Sequence, residues 1–421
     1  MTSAMATAAP ADAPDPVEPP VDAAFDPDVD PDVDAAPDHR LVAEAATTVA
    51  DPPAGMADSF LLHAALELGA RLDLLPYVRP AGREQARERI REVRATYGAV
   101  ATVRAPTDGP RPEDALDALV IAIDAGDVDG ADAAATVLVA TNTHADVATS
   151  VADVFLPRLS GAGHAVIALD RLHRIGPADP VGAAGLRLQA RQAAEHPDWT
   201  LTWHRSLARP VPSTNVPSLV DVLLAPLAPG PRGSDFIFPM LHLVESSGLA
   251  ADVLTAPLTA VADHEAASRD LLRVAAWSML QDDPASAPYG WTHCLTLPLG
   301  ALGMSGRGAD PRDALAVAAT YVLAFRSTQG AVALDPHWAP SEAVNPAAAA
   351  IWHASEEQLP DRIADLCTYA AGHPDAHLVK YTEACLRATA LDPEAGRLYL
   401  AAATHLAAWW QAIEDPSTVT A

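Results

Sequence analysis

Apolar residues recur at helical spacing along most of this chain. The first clear case begins near residue 58, where apolar side chains fall three or four positions apart until Pro76 ends the pattern: Leu61, Ala65, Leu68, Leu72 and Leu75. Similar segments lie at 84–97, 113–156, 161–175, 180–195, 241–254, 263–281, 313–328, 345–355, 359–372, 375–391 and 393–413. No segment alternates apolar and polar residues over a length that demands a strand. The pattern therefore predicts an all-α fold.

The N-terminal segment has a different composition. Residues 1–55 are rich in Pro, Ala and Asp, and residues 26–34 repeat the triplet Asp-Pro-Asp with Val between. Prolines oppose a helix, and a segment of low hydrophobicity buries too little apolar surface to offset the entropy lost on ordering. We expect a disordered acidic tail at 1–55 and a single large multi-helix domain at 56–421, with a proline-rich long loop at 205–235.

Composition narrows the class of protein. Half of the residues are hydrophobic but only 5% are aromatic, so Ala, Leu and Val, of which Ala and Leu are strong helix formers, supply most of the core. The formal net charge of -28 opposes binding to nucleic acids and anionic membranes. Three cysteines without a CxxC pair form neither a disulfide framework nor a zinc ribbon. With no signal peptide and no apolar run of about 18–20 residues, we expect a cytoplasmic protein.

Common catalytic motifs are absent. The sequence has no GxGxxG after a strand, no GxxxxGK[ST] and no HExxH. The nearest approach to a nucleophile elbow is the segment 303–307, GMSGR, whose last position is not glycine. An enzyme of this sequence would have to assemble its site from dispersed residues.

Histidines are the main candidates for chemistry. The chain has 15, and several lie inside apolar helical segments, where an unpaired polar ring is costly: His63, His164, His293, His377 and His405. A single one of these is more often a hydrogen-bonded core residue than a ligand. Several together favour a metal site, because imidazole is the commonest metal ligand and helices of a bundle can bring such rings together.

Lys380 shares a helical face with His377, three residues before it. A buried lysine has a lowered pKa and can become a neutral amine, which can add carbon dioxide to give a carbamate ligand. Two simpler interpretations are that Lys380 extends to solvent or pairs with Glu383. Spacing alone favours these simpler interpretations.

Four segments carry a resemblance to a known family. They are LLHAALELGA (61–70), GAGHAVIALDRLHRI (161–175), WTHCLTLPLGAL (291–302) and AHLVKYTEACLRA (376–388). With their histidines in this order, the chain resembles the questin oxidase-like family, an all-helical group of fungal and bacterial proteins that oxidise aromatic polyketides.

The resemblance implies oxygen-dependent oxidation or ring cleavage of a polycyclic, anthraquinone-like substrate. Some members look like non-haem iron enzymes that hold Fe(II) with histidines and a carboxylated lysine; others look like Baeyer–Villiger-type oxidases, for which NADPH would be the cofactor. Dioxygen and a small aromatic molecule would be the partners. Carried over by position, the implied metal ligands are His63, His164, His293, the modified Lys380 and a fourth histidine, His377 or His405. Thr296 matches a hydroxyl residue that would contact substrate or oxygen.

One residue departs from the family pattern. Pro298 lies five positions after His293, where an unbroken helix is expected, and a proline removes a backbone hydrogen bond and bends the chain. Three hypotheses remain open: a metal-dependent oxygenase, a metal-independent oxidase that uses a nicotinamide, and a non-catalytic helical protein whose histidines are merely buried.

Overall fold

The computed structural model describes residues 36–55, 59–174, 180–207, 216–227 and 237–414. Within these ranges the fold is all-α, as predicted, and the only β pairing consists of three isolated bridges. The first nine helices are α1 Ala36–Thr48, α2 Ser59–Leu74, α3 Pro80–Gly98, α4 Ala115–Ala125, α5 Val128–Thr141, α6 His144–Phe155, α7 Ala165–Arg174, α8 Pro180–Glu195 and α9 Leu219–Leu224. The remainder are α10 Ile237–Ser246, α11 Leu249–Ala260, α12 His264–Gln281, α13 Thr292–Gly303, α14 Pro311–Gln329, α15 Pro346–Trp352, α16 Leu359–Gly372, α17 Ala376–Leu391 and α18 Gly396–Glu414.

Three helices form the centre of the molecule. Every residue from Ala314 to Ser327 in α14 is buried, as are Thr292–Ala301 in α13 and Ala376–Cys385 in α17. A helix buried on all sides needs apolar residues all round rather than one apolar stripe. Alanine and glycine meet this need, and their small size also lets neighbouring helices approach closely. A Cβ at Gly300 of α13 would lie only 3.0 Å from the backbone of Ile167 in α7.

The predicted tail boundary at residue 55 is wrong. Residues 36–55 are described, and α1 lies within them, in contact with α3 and α8. No proline interrupts residues 38–51, so apolar side chains at helical spacing can reach the core, and Leu41, Ala45 and Val49 are buried. The carboxylate of Asp38 also pairs with Arg87 of α3 at 2.6 Å. The prediction of disorder for residues 1–35 lies outside the described residues.

The predicted loop at 205–235 contains a short helix. Ser218 and Asp221 form a reciprocal capping box that begins α9, with each side chain accepting from the backbone N–H of the other residue. Leu219 and Leu223 are buried against the core. The rest of that prediction falls largely on 208–215 and 228–236, which lie outside the described residues.

Other elements match the sequence pattern with small changes. The segment 241–254 divides into α10 and α11 at Gly248, whose φ of +81° suits glycine. The three cysteines are buried and unpaired. None of the described helices is by itself both long enough and apolar enough to cross a bilayer. Helices α10 and α11 reach the required length and apolarity only when taken together, and they are bent by 76° relative to each other.

Candidate metal centre

Four neighbouring elements carry the candidate ligands. Helix α13 contacts α7 on one side and α17 on another, and α17 contacts α2. His63 lies in α2, His164 immediately precedes α7, His293 lies in α13, and His377 and Lys380 lie in the first turns of α17. Residues far apart in sequence are therefore brought to one region by the packing of these helices.

The turn before His164 has an unusual backbone. Three consecutive residues have positive φ: Gly161 at +58°, Ala162 at +53° and Gly163 at +82°. This region is unfavourable for alanine, and such strain is often found at functional sites. The turn lets the His164 Nδ1–H donate to the carbonyl oxygen of Gly161 at 2.6 Å, which leaves the lone pair on Nε2, the nitrogen that faces Lys380.

His293 is oriented in the same way, but by a different type of turn. A π-helical turn, Ala287–Trp291, precedes α13, and the His293 Nδ1–H donates to the carbonyl oxygen of Tyr289 at 2.6 Å. The His293 Nε2 atom is buried without a hydrogen-bond partner. A buried, unpartnered nitrogen is costly in an apolar protein interior, and a bound ion would satisfy it.

The beginning of α17 fixes His377. Asp375 caps the helix by accepting from the backbone N–H groups of His377 and Leu378 at 2.9 Å. The other carboxylate oxygen of Asp375 lies 3.6 Å from His377 Nδ1, slightly beyond hydrogen-bonding distance. A carboxylate behind an imidazole is the usual arrangement around metal-ligating histidines.

The four imidazole rings form one compact cluster. The ring centroid of His63 lies 4.6 Å from that of His164 and 4.8 Å from that of His377. His293 lies 5.3 Å from His164 and 5.0 Å from His377. All four residues are buried. We call these residues, together with Lys380, the histidine cluster.

Three of these residues have nearly the spacing of ligands to one metal ion. One nitrogen from each of His63, His293 and His377 lies within 4.8 Å of the other two. Nitrogens bound to a common ion at about 2.1 Å are at most about 4.2 Å apart, so small ring movements would complete the site. His164 lies beside this trio, with its Nε2 atom 3.4 Å from the Lys380 Nζ atom.

Burial keeps the four imidazole rings of the cluster uncharged. It is the main cause that lowers the pKa of His63, His164, His293 and His377 below the usual value, and the positive charge of Lys380 contributes at each ring. The rings are therefore neutral at physiological pH. A neutral imidazole is the form that binds metals.

Lys380 does not follow either simple interpretation. Its side chain is buried rather than extended to solvent. Glu383 pairs with Arg174 at 3.5 Å and Arg387 at 3.7 Å, so its carboxylate is satisfied by arginines. Burial lowers the pKa of Lys380 to about 8, and the charges of Glu67 and Asp375 oppose this shift. At pH 7 Lys380 is then mostly protonated, and about a tenth of it is a neutral amine, far more than for an ordinary lysine.

Titration of Lys380 gives a testable pH dependence in metal-free protein. The pKa is lowered from 10.5 to about 8, so between these values the unfolded chain binds more protons than the folded chain. The free energy of unfolding should therefore rise with pH in this window. We expect the free energy of urea unfolding of wild type, relative to that of Lys380→Met, to be larger well above pH 8 than well below it. A constant difference between the two proteins would contradict the lowered pKa.

The remaining candidate residues, His405 and Thr296, lie in different surroundings. His405, considered as the fourth ligand, is not part of the cluster: its Nδ1 atom is hydrogen-bonded to the Asn345 side-chain amide at 2.7 Å. His377, the other candidate for that role, lies within the cluster. Thr296 lies in α13 one turn after His293 and is 8% exposed. Helix α13 continues through Pro298, because the turn before that proline is stabilised by packing on all sides.

An ionic network joins three of the supporting helices. Asp170 of α7 pairs with Arg174 at 3.2 Å and with Arg387 of α17 at 2.6 Å. Arg171 of α7 pairs with Asp73 of α2 at 2.7 Å. These contacts fix the relative positions of helices that carry or adjoin His63, His164 and Lys380.

Sequence reasoning indicated a glycine turn before α7, but it missed Tyr289, Asp375 and the way the turn at 161–163 orients His164. Asp375 stands where a helix cap is expected, two residues before His377, and the Gly-Ala-Gly sequence indicates positive φ. These two signals were readable from sequence. The π-helical turn around Tyr289 has no such signal, since it depends on the packing of α12, α14 and α17 against it.

Together, the fold and the cluster define an all-α protein with a buried polyhistidine site. Comparison of the chain with protein-family models, with curated proteins and with solved structures gave no match.

Proposed function

We propose that this protein is a non-haem metal-dependent oxygenase that oxidises or cleaves a polycyclic aromatic substrate. The observation that carries the proposal is the convergence of His63, His164, His293, His377 and Lys380. The questin oxidase-like resemblance rests on short segments around these same residues.

The residues fit iron by their chemistry. Imidazole suits iron as well as zinc, copper and nickel, so the donor set favours a transition metal over magnesium or calcium. Iron is preferred on the resemblance. Bound Fe(II) would supply the one-electron chemistry through which dioxygen reacts with an organic substrate.

The protein itself would contribute orientation, dryness and proton control. The carbonyls of Gly161 and Tyr289 hold the Nε2 lone pairs of His164 and His293 in place. Burial excludes most water, which strengthens electrostatic interactions inside the site. The lone pair of neutral Lys380 Nζ either accepts a proton or adds carbon dioxide to form a carbamate with ligand oxygens.

Element-specific metal analysis tests this proposal. Protein purified after growth in iron-rich medium should contain close to one iron per chain. Less than about a tenth of an iron per chain, together with failed reconstitution by Fe(II), would contradict the proposal. Stoichiometric zinc that iron does not replace would contradict an iron oxygenase while leaving a metal site.

Metal analysis combined with an oxygen-consumption assay separates the alternatives. A metal-independent oxidase would bind no metal but would require NADPH for oxygen consumption with an anthraquinone. A non-catalytic helical protein would do neither. The position of Lys380 favours a metal site. A buried amine 3.4 Å from an imidazole nitrogen is costly, and a non-catalytic binding protein would gain nothing from it.

A further inference from the structure

Tyr289 occupies a special position between the histidine cluster and solvent. Its side chain is 65% exposed, and it is the only aromatic among the large exposed hydrophobic residues in the described part of the chain. A single exposed apolar residue needs no explanation by itself. The location of Tyr289 distinguishes it.

Tyr289 touches two members of the cluster by different atoms. Its ring makes an edge contact with the His377 ring, with centroids 4.9 Å apart and planes at 77°. Its carbonyl oxygen accepts the hydrogen bond from His293 Nδ1. One residue is thus exposed on its outer side and in contact with candidate ligands on its inner side.

The small residual exposure of the cluster is confined to some of its members. His164 is fully buried, whereas His63 and His377 are each 7% exposed and His293 is 4% exposed. Tyr289 contacts two of these three slightly exposed residues, His377 and His293. A surface cavity of about 210 Å³ lies elsewhere, between α15, α16 and α18.

The backbone around Tyr289 is held independently of its ring. Tyr289 lies in the π-helical turn Ala287–Trp291, a form often found at functional sites. A Cβ at Gly290 would collide with the side-chain carbonyl of Gln329, so the turn is seated against the end of α14 because Gly290 has no side chain. The carbonyl that orients His293 therefore belongs to a turn whose position does not depend on the Tyr289 ring.

We propose that Tyr289 is the outer contact residue for the substrate, whose flat ring system stacks on the exposed tyrosine ring at the entrance to the histidine cluster. The inference rests on the proposed function and adds to it the place where an aromatic ligand is first recognised. An exposed tyrosine suits this role, since its ring face offers stacking and its hydroxyl remains in water. A substrate without an aromatic ring would lose this contact.

Binding of a soluble three-ring quinone, 9,10-anthraquinone-2-sulfonate, tests the inference on the full chain. Tyr289→Ala should weaken binding about tenfold, as expected for loss of an aromatic pair and its buried area, whereas Tyr289→Phe should stay within about twofold of wild type. Ile121→Ala, which alters a similarly exposed side chain in α4, is the matched control and should leave binding unchanged. Titration by isothermal calorimetry in physiological salt gives the affinities.

A second readout needs neither substrate nor metal. Diethyl pyrocarbonate modifies accessible neutral imidazoles, and peptide mapping locates the product. In metal-free protein, Tyr289→Ala should increase the modification rate of His377 and His293 severalfold, and Ile121→Ala should not.

The outcomes separate this inference from the proposed function. Unchanged quinone affinity in Tyr289→Ala, or no binding by wild type, overturns the role of Tyr289 even when iron is present at one per chain. Absence of metal overturns the oxygenase but leaves the quinone and modification experiments able to support the entrance. Equal metal content in wild type and Tyr289→Ala is expected, because the variant keeps the carbonyl that orients His293.

Discussion

Replacement of His293 by alanine should abolish metal binding while the protein stays folded. The Nε2 atom of His293 is buried without a partner and is held towards the cluster by the bond from Nδ1 to Tyr289. Removing one imidazole ligand commonly costs a site most of its affinity, because the remaining donors no longer enclose the ion. We expect the iron content to fall from close to one to below about a tenth per chain.

His164→Ala should have the same effect on metal content if His164 completes the ligand set with Lys380. Circular dichroism should remain that of wild type for both variants, since each truncates one side chain and leaves the backbone hydrogen bonds of the surrounding helices in place. His405→Ala is the matched control: it removes a buried histidine that pairs with Asn345 instead of the cluster. Full metal content in both His293→Ala and His164→Ala would refute the site.

Replacement of Arg71 by alanine should produce the largest loss of stability. The Arg71 side chain is fully buried, pairs with Glu67 at 2.5 Å and donates to the carbonyl oxygens of Ala371 and His373 at 2.6 and 2.7 Å. The variant leaves a buried carboxylate and two carbonyls without their donor. Breaking a buried pair in this way costs about 3–5 kcal/mol in free energy of unfolding.

The control for Arg71 is an exposed arginine. Arg91 pairs with Glu88 at 2.7 Å on the surface of α3, and Arg91→Ala should cost less than about 1 kcal/mol in urea unfolding. The double variant Glu67→Gln, Arg71→Met should recover part of the loss, because it removes the uncompensated charge along with its partner. Equal destabilisation by Arg71→Ala and Arg91→Ala would contradict the burial argument.

Arg71 also matters to the site. It joins α2, which carries His63, to the carbonyls at the end of α16 and just before α17, which carries His377 and Lys380. A partly destabilised Arg71→Met protein should therefore bind metal more weakly than wild type, measured by competition with a chelator. The same comparison in Arg91→Ala should give the wild-type affinity.

The sequence by itself determined the helical character of the protein and where most helices lie. Periodic apolar residues, strong helix formers and clear stops such as Pro76 act over a few residues, so they can be read without a fold. The same local rules failed where burial decided the outcome. Leu41, Ala45 and Val49 order α1 within a segment whose overall composition resembles a disordered tail.

Only the tertiary structure decided which histidines form the cluster. His377 and His405 look alike in sequence, each in an apolar helix, and the packing of α17 against α2 and α13 selects the first. The sequence spacing favoured an ordinary surface position for Lys380, whereas burial in the fold lowers its pKa to about 8. Convergence, desolvation and the placement of Tyr289 are properties of residues distant in sequence, and local patterns carry no information about such distances.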